Sequence, residues 1–369
     1  MKILYSIFLC CFLATSVLFA QDLEIYVSSS AENAIKQYDQ SGTFVRDYVP
    51  ANSGGLGGPQ DIIFLADNTT IVSGIQNTAI KQYETGSGDY IGNFTSGFNL
   101  NQPTRMEIRN NLLYVIQWAN TNNKVVRFDL NGDFVDEFTS IGLAQSIGMA
   151  WDNAGNLYVS SFGQGNNGFV QKFDTSGNDM GVFIDSTILQ GPTNIWFDDD
   201  QNLLVEDWSL GIVRKFSSTG QYIEDFITGM TNPEGIAFLP DDTILICDWG
   251  SDSVEQFDAD GNSMGTFASG NGMADPNAVV IRDPNLTVPE NDISKFLVTT
   301  TIGDQFNFNM SLSSQFSTIA LYTIHGALVE QISPARTPIW DASHLSEGIY
   351  LMVADDKGFQ ISQKIIIKK

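Results

Sequence analysis

A repeated pattern with a spacing of 41 to 46 residues is the feature of this 369-residue sequence that most restricts its fold. Successive copies start at Pro59, Pro103, Ser146, Pro192, Pro233 and Pro276. Each copy contains an aromatic residue, followed in all but one case by an acid: Tyr38-Asp39, Tyr83-Glu84, Phe128-Asp129, Phe173-Asp174, Phe216-Ser217 and Phe257-Asp258. A glycine follows each pair, at Gly42, Gly88, Gly132, Gly177, Gly220 and Gly261. Self-similarity at a fixed period indicates one structural unit per copy.

Four short apolar or alternating runs, separated by turn residues, occur in each copy and predict a four-stranded antiparallel meander. A unit of this length with four strands is typical of a propeller blade. The first copy lacks its opening strand, and the last copy has only that strand. The sequence therefore predicts an all-β fold with a six-bladed β-propeller in residues 21–287. We expect strand 276–283 to close the blade that residues 23–48 begin, because such pairing removes exposed sheet edges.

Two copies carry a family resemblance. Residues 233–238 read Pro-Glu-Gly-Ile-Ala-Phe and are followed by Cys247-Asp248-Trp249-Gly250, while residues 148–152 read Gly-Met-Ala-Trp-Asp. These segments resemble the NHL family of six-bladed propellers, and the resemblance covers residues 23–285. It implies architecture and not activity, since propellers of this kind serve as enzymes, receptors and scaffolds.

The first twenty residues predict a secretory signal peptide that is cleaved after Ala20. Lys2 supplies the positive charge, residues 3–19 are almost continuously apolar, and Ala20 is a small cleavage residue. A lipoprotein signal using Cys10 or Cys11 is the alternative. After cleavage only Cys247 remains, so we expect no internal disulfide and a buried thiol. No later apolar run is long enough to predict a transmembrane segment.

The C-terminal residues predict a second domain. Residues 288–294 are polar and contain a proline, which predicts a linker, and residues 295–369 contain alternating runs typical of a small β-sandwich. They resemble the C-terminal sorting domain of type IX secretion in three segments: residues 319–326, the run Ser343, His344, Leu345, Gly348, Ile349 and Tyr350, and the basic end with Lys364 and Lys368. The family's opening Tyr-Pro-Asn-Pro-like step is missing here. The resemblance implies handling by the type IX secretion machinery and a secreted or outer-membrane surface location; an ordinary accessory sandwich is the alternative.

Charge excludes several classes of partner. The chain has 43 Asp and Glu against 18 Lys and Arg, a formal net charge of −25. Binding to nucleic acid needs basic residues that neutralise phosphates, so nucleic acid and anionic membrane surfaces are not expected partners. The two histidines, His325 and His344, both lie in the tail. The propeller therefore cannot contain an imidazole zinc site, a Ser-His-Asp triad or a histidine general base.

The start of each inner strand and the end of each second strand should meet on one face near the propeller axis. The candidate ligand-binding residues there are Asp61, Arg105, Trp118, Asn194, Asp207, Trp208, Glu234, Asp248 and Trp249. The carboxylates of Asp61, Asp207, Glu234 and Asp248 could bind a hard cation, with calcium as the expected ion. The series Trp118, Phe162, Trp208 and Trp249 could form a stacking surface for sugar or peptide. Alternatively, the aromatics wedge between blades and the aspartates accept hydrogen bonds from loop amides.

Two functions from different classes fit these residues. We favour a secreted or surface β-propeller that acts as a binding module for an unidentified protein or glycan ligand, because no catalytic group is assembled. The alternative is a metal-dependent hydrolase, lactonase or lyase that uses the carboxylates at the axial mouth. Lactonases of the gluconolactonase type use a Glu/Asn/Asn/Asp metal site, and only Glu234 with Asn277 or Asn194 falls at comparable places.

Overall fold

The computed structural model describes residues 23–284, 297–298, 302–309, 316, 318–323, 327–333, 339–356 and 359–369. The chain divides into two compact units, Met1–Thr287 and Val288–Lys369, which we describe separately. The predicted signal peptide, the predicted linker and His325 lie outside the described residues.

The first unit contains six four-stranded antiparallel sheets, which confirms the predicted six-bladed propeller. The inner strands are β4 (Pro59–Phe64), β8 (Pro103–Arg109), β12 (Ser146–Trp151), β16 (Pro192–Phe197), β20 (Pro233–Phe238) and β24 (Pro276–Arg282). The second strands are β5 (Thr69–Gly74), β9 (Leu112–Gln117), β13 (Leu157–Ser161), β17 (Leu203–Asp207), β21 (Ile244–Asp248) and β1 (Glu24–Ser29). Every inner strand begins at the proline or serine that marks the sequence repeat.

The other two strands of each blade complete the meander. The third strands are β6 (Lys81–Glu84), β10 (Val126–Asp129), β14 (Phe169–Phe173), β18 (Ile212–Phe216), β22 (Ser253–Phe257) and β2 (Ala34–Asp39). The outer strands are β7 (Tyr90–Asn93), β11 (Phe134–Glu137), β15 (Asp179–Ile184), β19 (Tyr222–Thr228), β23 (Ser263–Ser269) and β3 (Phe44–Val49). Single 3-10 turns occur at Ser53–Gly55, Gly163–Gly165 and Trp249–Ser251.

The two ends of the propeller sequence share one blade. Strand β24 pairs antiparallel with β1, so that Ile25 lies opposite Ile281. An ion pair between Arg282 Nη1 and Glu24 Oε2, at 2.6 Å, lies at the end of this pairing. The last strand therefore completes the sheet that the first strand begins, and the ring closes through backbone hydrogen bonds.

The repeated aromatic and glycine positions encode contacts between neighbouring blades. The six aromatic side chains of the pattern are buried, with at most 3% of their surface exposed. Gly88 has a φ of +81°, and a Cβ atom there would lie 1.8 Å from the carbonyl oxygen of Tyr48 in the preceding blade. The five equivalent glycines also have positive φ and also face a backbone carbonyl oxygen of the preceding blade. Glycine recurs because only a residue without Cβ avoids both the strain and the clash.

The core is built between adjacent blades. Cys247 on β21, for example, packs in one buried cluster with Ile25 and Val27 on β1. The thiol of Cys247 is free and fully buried, and burial raises its pKa well above the ordinary value. Cys247 is therefore a small core residue, because a buried thiol that stays protonated is a poor nucleophile.

The second unit is a small β-sandwich, as predicted. Its strands are β25 (Ile302–Gly303), β26 (Gln305–Asn307), β27 (Ile319–Thr323), β28 (Leu328–Ile332), β29 (Ile339–Asp341), β30 (Gly348–Asp356) and β31 (Phe359–Ile367). One sheet has the order β25-β31-β30-β27-β28, and β26 pairs with β29 in the other. Phe306 and Trp340 from the smaller sheet pack in one buried cluster with Leu321, Met352 and Ile365 from the larger sheet.

Candidate functional site

Four aromatic side chains directly after the second strands form a continuous, half-buried row, which we call the aromatic arc: Trp118, Phe162, Trp208 and Trp249. The ring centroids are 5.3 Å apart for Trp118 and Phe162, 5.7 Å for Phe162 and Trp208, and 5.5 Å for Trp208 and Trp249. The four residues occupy the same repeat position in consecutive blades, where the remaining two blades have Ile75 and Ser30. The structure thus brings the predicted aromatic series together on one face, which we call the arc face.

Local contacts hold the arc in place. Each of the four backbone N–H groups donates to the carbonyl of the residue that precedes the inner strand of the same blade: Gln102, Gln145, Gly191 and Asn232, at 2.8, 3.0, 2.9 and 2.9 Å. The Phe162 ring lies against the backbone of the next blade, since a Cβ on Gly191 would be 2.8 Å from it. The side chain of Asn232 donates to the carbonyl of Trp208 at 2.9 Å. The arc is consequently ordered by the propeller itself.

Charged residues are sorted between the two ends of the propeller. In the turns that follow the arc residues (118–125, 162–168, 208–211 and 249–252) only Lys124 and Asp252 are charged, and the polar residues are Asn, Gln, Ser and Thr. The turns at the opposite end contain Asp67, Asp89, Asp133, Asp152, Asp174, Asp198, Asp199, Asp200, Asp241, Asp242, Asp258 and Asp260. The other turns at the arc end add Glu32, Asp185 and Asp275, so the acidic turn residues are concentrated at the opposite end, and amide and hydroxyl groups predominate beside the arc.

Arg105 lies at the propeller axis and connects several inner strands. Its guanidinium is buried and donates to three backbone carbonyls: Nη1 to Gln60 at 2.6 Å, and Nη2 to Glu234 at 3.0 Å and Asn277 at 2.5 Å. These carbonyls belong to three other inner strands, β4, β20 and β24. The carboxylate of Asp61 lies 4.0 Å from Nη1 and provides the nearest negative charge. Burial raises the pKa of Asp61, and Arg105 opposes this effect.

Two buried glutamates flank this guanidinium. Burial raises the pKa of Glu234 to about 8, and Arg105 acts in the opposite direction. With its amide nitrogen oriented toward Glu234, Asn277 donates to both carboxyl oxygens at 3.0 Å. Burial likewise raises the pKa of Glu206 to about 8, and neither of its oxygens has a well-formed hydrogen bond. Both glutamates are therefore mainly protonated at neutral pH, and Asp61 is the carboxyl group that forms an ion-pair contact with Arg105, at 4.0 Å.

Two of the carboxylates predicted as metal ligands are occupied by backbone amides. Asp207 accepts from the N–H groups of Gln190 and Gly191 at 2.8 and 3.0 Å. Asp248 accepts from those of Thr231 and Asn232 at 2.8 and 2.7 Å. Both aspartates thus fix the loop that precedes an inner strand, as the alternative interpretation has it.

Asp61 also accepts backbone hydrogen bonds, from the N–H groups of Ile62 and Met106 at 2.9 and 2.8 Å. Within the part of the chain that the structure describes, no three Asp, Glu, His or Cys side chains stand close enough to hold a metal ion. The calcium hypothesis is not tested by these contacts, and metal analysis of the purified protein can decide it.

The remaining candidates lie along the axis and not in the arc. Arg105 and Asn194 line a cavity of about 170 Å³ together with Asp61 and Glu107. A second cavity of about 430 Å³ shares Glu107 with it and is also lined by Trp151. Burial raises the pKa of Glu107 to about 7. The predicted ligand-binding set therefore separates into an aromatic group on the arc face and a polar group on the axis.

Glu206 is a site residue that the sequence analysis missed. The equivalent positions in the other blades are Ser28, Ser73, Ile116, Ser160 and Cys247. Ser73 and Ser160 use this position to donate to a backbone carbonyl of the next blade, at 2.5 Å in both cases. A carboxyl group at a repeat position otherwise occupied by small or apolar residues was the signal in the sequence.

The residues of the predicted sorting motif stabilise one corner of the sandwich. Glu330 accepts from Trp340 Nε1 at 3.0 Å and contacts His344 Nε2 at 2.8 Å. Ser343 donates its N–H to Asp341, and Tyr350 donates its hydroxyl to the carbonyl of Ser346. The other motif residues lie close by. Leu345 is in the same turn, Gly348 and Ile349 begin β30, and Lys364 is on the paired strand β31. The N–H group of Lys368 donates to the carbonyl of Gly303 on β25.

Comparisons with known proteins agree with this division of the chain. Residues 303–368 match the family model of the secretion system C-terminal sorting domain. This match indicates handling by the type IX secretion machinery and export to the cell surface or the medium. No curated protein matches the chain in sequence. In the described part of the chain, no helix has the length and apolarity needed to cross a membrane.

Solved structures identify the fold of the first unit. A chain in the crystal structure of a nidogen/laminin complex is similar, with a TM-score of 0.58, 13% identity, and coverage of 70% of this chain and 98% of that chain. A protein of unknown function from Bacteroides caccae is also similar, with a TM-score of 0.54, 12% identity and the same coverage. At these identities the likeness concerns the β-propeller fold alone.

Proposed function

We propose that this protein is an NHL-type six-bladed propeller that works outside the cell as a binding module and recognises its partner through the aromatic arc. The observation that carries the proposal is the row of four half-buried rings in mutual contact on one face. The sorting domain delivers the propeller to the place where that partner is found.

The physical argument is that aromatic side chains supply most of the binding energy at many recognition surfaces. Backbone hydrogen bonds and close glycine contacts already order the arc, so little conformational entropy is lost when a partner binds. The buried Asp207 and Asp248 support this order, because each holds the loop that lies beneath an arc residue.

The test compares the purified full chain with the double variant Trp118→Ala/Trp208→Ala. Both are incubated with cell envelopes and with extracellular material from cells that export the protein, and the retained fraction is measured. The matched control is Phe238→Ala, because Phe238 is 49% exposed but lies at the far end of β20. We expect retention of the wild type and the control, and loss of retention in the arc variant, which should still unfold cooperatively at a Tm somewhat below that of the wild type. Equal retention of all three proteins would contradict the proposal.

A further inference from the structure

We infer that the aromatic arc binds a neutral glycan chain. This inference deepens the proposed function and rests on it. The structural basis is the combination, on one face, of contiguous aromatic rings with mainly uncharged hydrogen-bonding side chains, while most acidic turn residues lie at the other end of the propeller.

The rings fit the apolar part of a sugar. A pyranose presents C–H groups on its faces and hydroxyl groups around its rim, so it stacks on an aromatic ring through a face. Adjacent arc centroids are 5.3 to 5.7 Å apart, and adjacent ring planes are inclined by 41°, 78° and 59°, so the rings present differently oriented faces along four consecutive blades. Such a row can contact successive units of an extended chain, whereas a single sugar would use only part of it.

The polar neighbours fit the rim of a sugar. The turn after Phe162 exposes the amides of Gln164, Asn166 and Asn167, and Ser209 follows Trp208. Amides and hydroxyls both donate and accept hydrogen bonds, which matches the dual character of sugar hydroxyls. A few polar groups placed around an apolar contact are the usual composition of a ligand site.

Charge argues against the other extracellular polymers. An acidic polysaccharide would need basic residues near the arc, where the four turns provide only Lys124, and the net charge of −25 would repel it. A basic peptide would be drawn to the aspartates at the opposite end. A protein-binding interface usually has a broad core patch that lacks charged residues and is enriched in Arg and Met beside the aromatics. The arc differs, because it is a narrow row bordered by amides and glycines.

The experiment uses insoluble and soluble neutral polysaccharides as probes, namely cellulose, chitin, xylan, mannan and starch. Polygalacturonate and heparin serve as charged counterparts. The full chain is tested by co-sedimentation with the insoluble polymers and by tryptophan fluorescence with soluble fragments. Three of the six tryptophans belong to the arc, so a bound sugar should change the emission. In parallel, envelope material is treated with periodate, which cleaves vicinal diols of sugars, or with protease.

We expect at least one neutral polymer to bind, neither charged polymer to bind, and retention on envelopes to be lost after periodate but not after protease. Affinity should fall about tenfold or more in Trp118→Ala/Trp208→Ala and stay unchanged in Phe238→Ala, as expected when two of the four aromatic contacts are removed. Retention that is lost after protease alone would overturn the glycan inference and leave the binding module intact. If the correctly folded chain bound no polymer and was not retained on envelopes, both the glycan inference and the proposed binding function would be overturned.

Discussion

The guanidinium of Arg105, on the inner strand of one blade, donates a hydrogen bond of 2.5 Å to the carbonyl of Asn277, which lies 172 residues later on the strand that closes the ring. Together with the bonds to Gln60 and Glu234, this contact links four of the six inner strands at the axis. A propeller held by packing between blades gains here a direct polar connection across its centre. Arg105 is therefore a structural residue first, although the sequence placed it among the ligand-binding candidates.

Arg105→Ala should destabilise the propeller by about 3–5 kcal/mol, because it leaves buried carbonyls and the Asp61 carboxylate without their partner. Arg105→Lys should recover only part of this loss, since one ammonium cannot reproduce the planar fork. Denaturant unfolding measures both changes. Arg109→Ala is the matched control on the same strand: its guanidinium lies 4.8 Å from the Trp151 ring, and we expect a loss of about 1 kcal/mol or less. Similar losses for Arg105 and Arg109 would contradict the axial role.

The buried glutamates predict an unusual pH dependence. A carboxyl whose pKa rises from 4.5 to about 8 on folding binds more protons in the native state, so its contribution to stability is complete below pH 4.5 and is lost as pH rises to about 8. The slope is about 1.4 kcal/mol per pH unit for each group. Glu206→Gln/Glu234→Gln should remove this slope. The variant should therefore gain stability relative to the wild type between pH 5 and pH 8.5, and parallel Tm profiles would refute the assignment.

The sequence predicted the blades well because each repeated residue answers a local requirement that recurs in every blade. Pro59 and its equivalents mark where an inner strand starts, and Gly88 and its equivalents avoid a carbonyl of the neighbouring blade. The axial roles could not be predicted, since the partners of Arg105 lie 45, 129 and 172 residues away and meet only when the ring closes. Asp207 was ambiguous for another reason: a metal ion and a pair of backbone N–H groups both require a carboxylate at a strand end.

The repeated glycine can be tested on its own. Gly88→Ala should destabilise the propeller by about 2 kcal/mol or more, because alanine is strained at a φ of +81° and its Cβ would meet the Tyr48 carbonyl oxygen. Gly92→Ala is the matched control four residues later, where a Cβ would meet nothing within 4 Å. We expect that control to be neutral or slightly stabilising. Thermal unfolding measures the Tm of the two variants. An equal Tm for both would show that the turn tolerates a side chain.

Calcium should not stabilise the propeller. The oxygens of Asp207 and Asp248 are already engaged by backbone N–H groups, and Glu234 is mainly protonated at neutral pH. We therefore expect no bound divalent ion by elemental analysis and no change in Tm after addition of chelator or Ca²⁺. A stoichiometric ion whose removal lowers Tm would show that the carboxylates rearrange into a site, because a ligand that binds only the native state must stabilise it. Glu234→Gln would then have to abolish binding of that ion.

Export should depend on the folded C-terminal sandwich. Truncation after Asp292 removes the whole segment that matches the sorting domain, and the propeller should then accumulate in the periplasm. A subtler variant is Glu330→Ala, which removes the acceptor of Trp340 Nε1 and the partner of His344. Because this loss leaves the indole N–H of the buried Trp340 unpaired, we expect reduced export at a level between the wild type and the truncation. Gln331→Ala is the control, since Gln331 is the exposed neighbour on β28. Fractionation of cells and medium measures all four proteins, and normal release of the truncated chain would show that export does not use this domain.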